Sequence, residues 1–144
     1  MKKLLGILSA LLASLSLNVA AVDKPAPQGG KEAASAKRFR NVDVAEWEKL
    51  RKDPQVVVLD VRTAEEFAEG HMPGAINLDI RGGKFAETLA GLDKSKTYLV
   101  HCAVGGRSAK ACGQMDGLKF EKVVNLSGGI TAWEAAGNKP VKGR

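Results

Sequence analysis

The sequence is poor in the residue types on which several functions depend. Aromatic side chains make up 5% of the chain, and its basic residues are scattered rather than run together. Proteins that bind nucleic acid combine a clustered basic patch with stacking aromatics, so no nucleic-acid partner is expected. Histidine is limited to His71 and His101, and cysteine to Cys102 and Cys112. The ligand spacing of a zinc site does not occur, and neither a metal nor a cofactor is expected. The uncharged apolar run at 4–17 is shorter than the ~20 residues of a membrane span. No cysteine lies near the end of that run to take a lipid anchor, and no internal repeat is visible.

What is present is organised in three segments within 144 residues, a length that suits one domain. Residues 1–21 read as a secretory signal peptide: Lys2 and Lys3 form the basic start, the apolar run follows, and Val19-Ala20-Ala21 precedes the cut. This places the protein in the periplasm or outside the cell, with no stable membrane association after cleavage. Residues 22–37, with Pro25, Pro27, Gly29 and Gly30, read as a flexible linker. The folded domain is expected over 38–141. Without Lys2 and Lys3, the 22 Lys and Arg fall to 20 against 16 Asp and Glu, a net charge of +4. That charge suits a small anionic substrate through long-range steering, and it equally suits plain solubility.

Within the domain, strand patterns alternate with helix patterns. Strands are expected at 39–41, 55–59, 75–78, 97–101 and 122–126. Helices are expected after Asp43, with a capping box to Glu46, then at 64–69 capped by Thr63, and at 85–92, 108–118 and 130–136. The β-branched runs read as strands buried on both faces. Alternation of this kind implies an α/β fold: a five-stranded, mainly parallel sheet with helices on both faces. Sites in such sheets form at the carboxyl ends of the strands.

One stretch carries the chemistry: His101-Cys102-Ala103-Val104-Gly105-Gly106-Arg107-Ser108, between the fourth strand and the following helix. A cysteine in a loop that opens a helix faces free backbone N–H groups and the positive end of the helix dipole. Such a thiol can be lowered from about 8.5 to roughly 3.5–7.5 and become a thiolate at neutral pH. Gly105 and Gly106 let successive N–H groups turn toward one anion, and Arg107 adds a permanent charge. The stretch reads as a cradle for an anion held against a nucleophilic sulfur.

This loop resembles the active-site loop of the rhodanese sulfurtransferases. Two flanking motifs strengthen the resemblance. Leu59-Asp60-Val61-Arg62-Thr63-Ala64-Glu65-Glu66-Phe67 with Gly70-His71-Met72-Pro73-Gly74-Ala75-Ile76-Asn77 is similar to the family's upstream signature. Leu126-Ser127-Gly128-Gly129-Ile130-Thr131-Ala132-Trp133, with Ala136, Gly137 and Pro140 beyond, is similar to its closing motif. The likeness runs from about Phe39 to Pro140. The signal peptide and the Pro-Val-Lys-Gly ending resemble the small periplasmic single-domain rhodaneses of bacteria, including the phage-shock type. The loop also comes close to the phosphatase signature His-Cys-x5-Arg-Ser/Thr, but only Ala103 to Gly106 separate Cys102 from Arg107. In the families concerned, the shorter loop goes with transfer of one sulfur atom and the longer with a phosphoryl group.

The resemblance implies a transferase in which Cys102 takes a sulfane sulfur from a small anionic donor, thiosulfate or a persulfide or polysulfide. The Cys102 persulfide then hands the sulfur to cyanide or a thiol acceptor. Ala103, Val104, Gly105, Gly106, Arg107 and Ser108 are the substrate-binding residues. Arg107 either binds the anionic donor or closes the loop by a salt bridge; Ser108 caps or opens the helix. Two other readings stand beside this one: a non-enzymatic rhodanese-like binding or thiol-sensing module, and a small phosphatase or arsenate reductase. His71 reads as structural within its Gly-His-x-Pro-Gly-Ala turn. His101 neighbours Cys102, so their side chains point to opposite faces of the sheet and form no Cys–His pair. Asp60 and Arg62 pin loops near the site. Cys112 lies about a turn and a half into the helix, ~8 Å along it, too far for a disulfide to Cys102. It reads as a buried, inert thiol.

Overall fold

The computed structural model describes residues 39–143. The signal peptide at 1–21 and the linker at 22–37 lie outside them. Ten elements follow in order: β1 (Arg40–Val42), α1 (Val44–Leu50), β2 (Val56–Asp60), α2 (Ala64–Glu69), β3 (Ile76–Asn77), α3 (Phe85–Ala90), β4 (Thr97–His101), α4 (Gly106–Gly117), β5 (Lys122–Leu126) and α5 (Gly129–Ala135). All strands pair in parallel, in the order β1-β5-β4-β2-β3. Among the described residues, no helix is long and apolar enough to cross a membrane.

The period of two along the central strands splits the core. Tyr98, Val100 and Cys102 face one side with Leu59, Val61 and Val123, where α3 supplies Phe85 and Leu89 and α4 supplies Ala111, Cys112 and Met115. Val58, Leu99, Val124 and Leu126 face the other, against Trp47 of α1 and Ile130 and Trp133 of α5. Both faces of β2, β4 and β5 are thus covered, which is why their sequences are nearly continuous apolar runs. Helix α2 buries none of its residues and lies at the carboxyl ends of the strands, held by a complete capping box between Thr63 and Glu66.

The boundaries differ from the sequence reading in instructive ways. Helix α4 begins at Gly106 and α5 at Gly129, each earlier than the first strong helix former, because a glycine in the left-handed region serves as cap and turns the chain into the helix. At α1 only half of the expected capping box forms. Asp43 accepts from the Glu46 N–H at 2.9 Å, but the Glu46 carboxylate pairs with Arg40, where a full charge outcompetes a neutral N–H. The third strand shrinks to Ile76–Asn77, because Ala75 donates back to Met72 in a turn and, among the described residues, β2 is the strand's only partner.

The carboxyl end of β2 is fixed by charge. Asp60 is fully buried and accepts from the Arg62 backbone N–H at 3.0 Å, from Nε at 3.0 Å and from Nη2 at 2.6 Å. Arg62 Nη2 also donates to the Gly70 carbonyl at 2.7 Å, and Asn77 Nδ2 donates to the carbonyls of Asp60 and Arg62. The ion pair therefore joins β2 to the end of α2, and the Asn77 amide ties the same backbone to β3. Replacing Arg62 with alanine would leave a buried carboxylate uncompensated and should cost about 3 kcal/mol or more. Equilibrium urea unfolding checks this. A loss below about 1 kcal/mol, the value of an exposed pair, would show that the guanidinium is dispensable.

Candidate active site

Cys102 follows the last residue of β4, at the carboxyl edge of the central strand. Its Sγ accepts from the Gly105 N–H at 3.0 Å and from Ser108 Oγ–H at 3.4 Å. Burial by itself raises the pKa of this thiol. Hydrogen bonds from the Ser108 hydroxyl and from the N–H groups of Ser108, Gly105 and Val104 outweigh it, and the net direction is downward. Ser108 is fully buried in the first turn of α4, not at its cap, and its hydroxyl lies 3.1 Å from the Gly105 carbonyl as well. One proton thus has two acceptors, and a thiolate is the stronger.

The start of the loop is held by two of its carbonyls. The Ile130 N–H donates to the Cys102 carbonyl at 2.8 Å, and the Thr131 N–H to the Ala103 carbonyl at 3.1 Å. In a trans peptide the C=O and the following N–H point in opposite directions. Fixing the Ala103 carbonyl outward therefore turns the Val104 N–H toward the sulfur. The N-terminus of α5, whose N–H groups lack intrahelical partners, does this work. It can approach so closely only at glycine: Gly129 has φ +58°, and a Cβ there would lie 2.4 Å from the Cys102 oxygen and 2.5 Å from that of Ala103. The closing Gly-Gly-Ile-Thr motif is thus the clamp of the Cys102 loop. Gly105, at φ +104°, makes the matching turn on the other side.

The Arg107 guanidinium is engaged by a carboxylate, and it also feels the charge of Cys102. Its Nη1 and Nη2 meet the two Glu66 carboxylate oxygens at 2.6 and 2.7 Å. The geometry thus shows the salt bridge, one of the two roles the sequence left open. Hydrogen bonding from Arg107, opposed by partial burial and aided by the Thr63 N–H, holds the Glu66 carboxyl down at about 2. Glu66 is the residue that sequence reasoning missed. The signal available was its place three residues after the capping Thr63, which fixes its side chain at the start of α2; its second partner lies 41 residues away.

Among the remaining sequence candidates, neither histidine is hydrogen-bonded to the sulfur. His101 is fully buried on the opposite face of the sheet, its ring edge-on to Trp47 at 5.9 Å and its Nε2 3.7 Å from Asp60 Oδ2. Burial, against the pull of Asp60, pushes it down to about 4, so it is neutral at physiological pH. His71 stacks on Phe67 at 3.7 Å and pairs with the Phe67 carbonyl, while its backbone bridges to Val141. Cys112 is a free thiol, fully buried, and burial pushes it up to about 12. Ala103 is half-buried, and Val104, 68% exposed, forms the tip of the loop with the exposed Gly106. Among the described residues, no three His, Cys, Asp or Glu side chains converge as a metal site would require.

A sulfur at a sheet edge, ringed by backbone donors from a helix start, defines a cysteine-loop α/β enzyme. Similarity narrows the class. Residues 43–136 match the Rhodanese-like domain family. The chain is 42% identical over 87 residues to YtwF of Bacillus subtilis, which covers 60% of this chain and 82% of that protein. It is 33% identical over 97 residues to the thiosulfate sulfurtransferase GlpE of Pseudomonas putida strain GB-1, covering 67% of this chain and 86% of the other. The fold matches the crystal structure of a rhodanese-related protein from Thermoplasma volcanium with a TM-score of 0.63 and 32% identity, over 71% of this chain and 97% of that one. The chain belongs to the rhodanese-like family, and within it to the rhodanese-type transferases.

The Ser108 hydroxyl has a measurable consequence. Ser108→Ala removes one donor to a sulfur anion, an interaction worth about 1.5 kcal/mol, and should raise the Cys102 pKa by roughly one unit. The pH dependence of iodoacetamide alkylation reads this directly, since Cys112 is buried and protonated. A midpoint that stays in place would assign the hydroxyl to the Gly105 carbonyl alone.

Proposed function

We propose that the protein is a sulfurtransferase that carries a sulfane sulfur as a persulfide on Cys102. The observation that supports this most directly is the set of N–H donors from Val104, Gly105 and Ser108 that lower the Cys102 pKa against the effect of its burial. In the first half-reaction the Cys102 thiolate attacks the outer sulfur of the donor. A new S–S bond forms on Cys102, the donor's own bond to that sulfur breaks, and its electron pair departs with the leaving group, sulfite or a thiolate. The loop's donors then stabilise the charge on the outer sulfur. In the second half-reaction cyanide or a thiol takes that sulfur and the Cys102 thiolate returns. Covalent catalysis thus splits the transfer into two steps with ping-pong kinetics. Substrate contact falls to Ala103, Val104, Gly105, Gly106 and Ser108, with Arg107 bracing the loop through Glu66. The signal-peptide pattern at 1–21 supports action in the periplasm or outside the cell.

Two measurements test the reading. Intact mass spectrometry after incubation with a sulfane sulfur donor should show one added sulfur on the peptide that contains Cys102. Cys102→Ser should abolish both this adduct and turnover while leaving the fold intact. Cys112→Ser should keep most of the activity and lose about 1–3 kcal/mol of stability, because it places a hydroxyl in an apolar cluster. The loop's width supplies the second measurement. A phosphoryl group must sit within about 3–3.5 Å of the nucleophile with its oxygens already held, and a small misfit costs much rate. Aryl phosphates should therefore not turn over. Hydrolysis of an aryl phosphate through Cys102 faster than sulfur transfer would overturn the reading.

A further inference from the structure

We propose that the C-terminal segment 139–143 is a strap that positions Glu66: by tying down α2 it keeps the Glu66 carboxylate on Arg107, and so limits the pull of the Arg107 charge on Cys102. The inference stands on the geometry of α2 and does not depend on which sulfur chemistry Cys102 performs. Helix α2 has six residues and buries none of them. A helix this short is marginal without a packed face. Along its flank lies a cleft of about 510 Å³, lined by Ala64, Glu65, Phe67 and Ala68 of α2 and by Asn77 of β3. Its position is therefore set at its ends. In the first turn Glu66 meets Arg107 at 2.6 and 2.7 Å. At the other end Arg62 Nη2 donates to the Gly70 carbonyl, a single contact about which the helix can pivot.

The strap removes that freedom with three backbone hydrogen bonds. The Val141 N–H donates to the His71 carbonyl and the His71 N–H to the Val141 carbonyl, each at 2.9 Å, and the Gly143 N–H donates to the Ala68 carbonyl of α2 itself at 3.2 Å. Pro140 lies close over Gly70, where a Cβ would come within 3.3 Å of the proline Cβ. His71 carries the tie into the helix: its ring stacks on Phe67 at 3.7 Å and its Nδ1 pairs with the Phe67 carbonyl at 2.9 Å. Val141 is 43% exposed, so the strap holds by its backbone rather than by a buried side chain. The far end of this chain of contacts is electrostatic. Arg107 and Cys102 feel one another's charge, and the Glu66 carboxylate offsets much of the field of the guanidinium it touches. Withdrawing Glu66 leaves Arg107 uncompensated and lowers the Cys102 pKa further, since a nearby opposite charge favours the thiolate. Damage to the loop itself has the opposite sign, because losing the donors from Ser108, Gly105 or Val104 raises that pKa. The sign of the shift therefore separates a positioning role for the strap from a merely structural one.

The test is the pH midpoint of iodoacetamide alkylation of Cys102 in the full chain, with the strap loosened at two different bonds. Val141→Pro removes the N–H that meets His71. Gly143→Pro removes the N–H that meets Ala68 and cannot adopt the φ of +97° found there. Each should lower the midpoint by about half a unit, roughly a threefold rise in thiolate at a pH below it. Val141→Ala keeps both backbone bonds and should keep the wild-type midpoint. Glu66→Gln should lower it at least as far as the proline variants, and neither proline should add to the shift once Glu66 is changed. A midpoint that stays or rises in the proline variants would overturn the proposal. So would a midpoint that stays in Glu66→Gln, shifts that add in the double variants, or a Val141→Ala shift as large as that of Val141→Pro. The two prolines act at separate points, so if one variant fails to fold the other decides.

Discussion

The structure depends on one constraint: backbone N–H groups must turn toward a single sulfur while the loop that carries them is held from the other side. Peptide geometry couples the two, because each carbonyl is rigidly opposed to the next N–H. Here the requirement is met by placing the start of α5 on the Cys102 loop, so that the N–H groups of Ile130 and Thr131 take the carbonyls of Cys102 and Ala103. The helix has those donors to spare at its first turn, and the contact needs the missing side chain of Gly129. The cradle is therefore a product of two chain segments, and the closing motif belongs to the site as much as the cysteine does.

Around that clamp the charged residues divide their labour by face and by layer. Asp60 and Arg62 lock the carboxyl end of β2 from within the protein, where an uncompensated charge would be intolerable. Glu66 and Arg107 form a bidentate strut between α2 and α4 nearer the surface. Neither pair touches the sulfur. Their effect is to fix the positions from which α4 and the loop 102–108 present uncharged donors. The Cys102 sulfur is stabilised by hydrogen-bond donors of its own loop and of Ser108.

The same arrangement accounts for why two histidines and a second cysteine take no part. A strand places consecutive side chains on opposite faces, so His101 beside Cys102 is directed at Trp47 and Asp60. Burial keeps it neutral. Cys112 lies on the same side as Cys102 but deep between α4 and the sheet, where its thiol is far from ionising. Proximity in sequence and shared chemistry did not make partners; orientation and desolvation decided.

By itself, the sequence determined the alternation of strands and helices, the five-stranded parallel sheet, and the place of Cys102 at the carboxyl end of the fourth strand. These follow from signals of short range: β-branched runs, the Thr63 cap, and glycines where the chain must turn. Period-two alternation also sufficed to separate His101 from Cys102. Only the tertiary structure decided that the Glu46 carboxylate leaves its capping role for Arg40, that Glu66 takes both nitrogens of an arginine 41 residues away, and that α5 clamps the Cys102 loop. It also decided the net direction of the Cys102 pKa, where burial and hydrogen bonding act against each other. The physical reason is the same in each case. Local propensity depends on a few neighbouring residues, whereas a hydrogen bond or an ion pair goes to whichever group the completed fold brings within 3 Å, and that choice is written in the packing of the sheet.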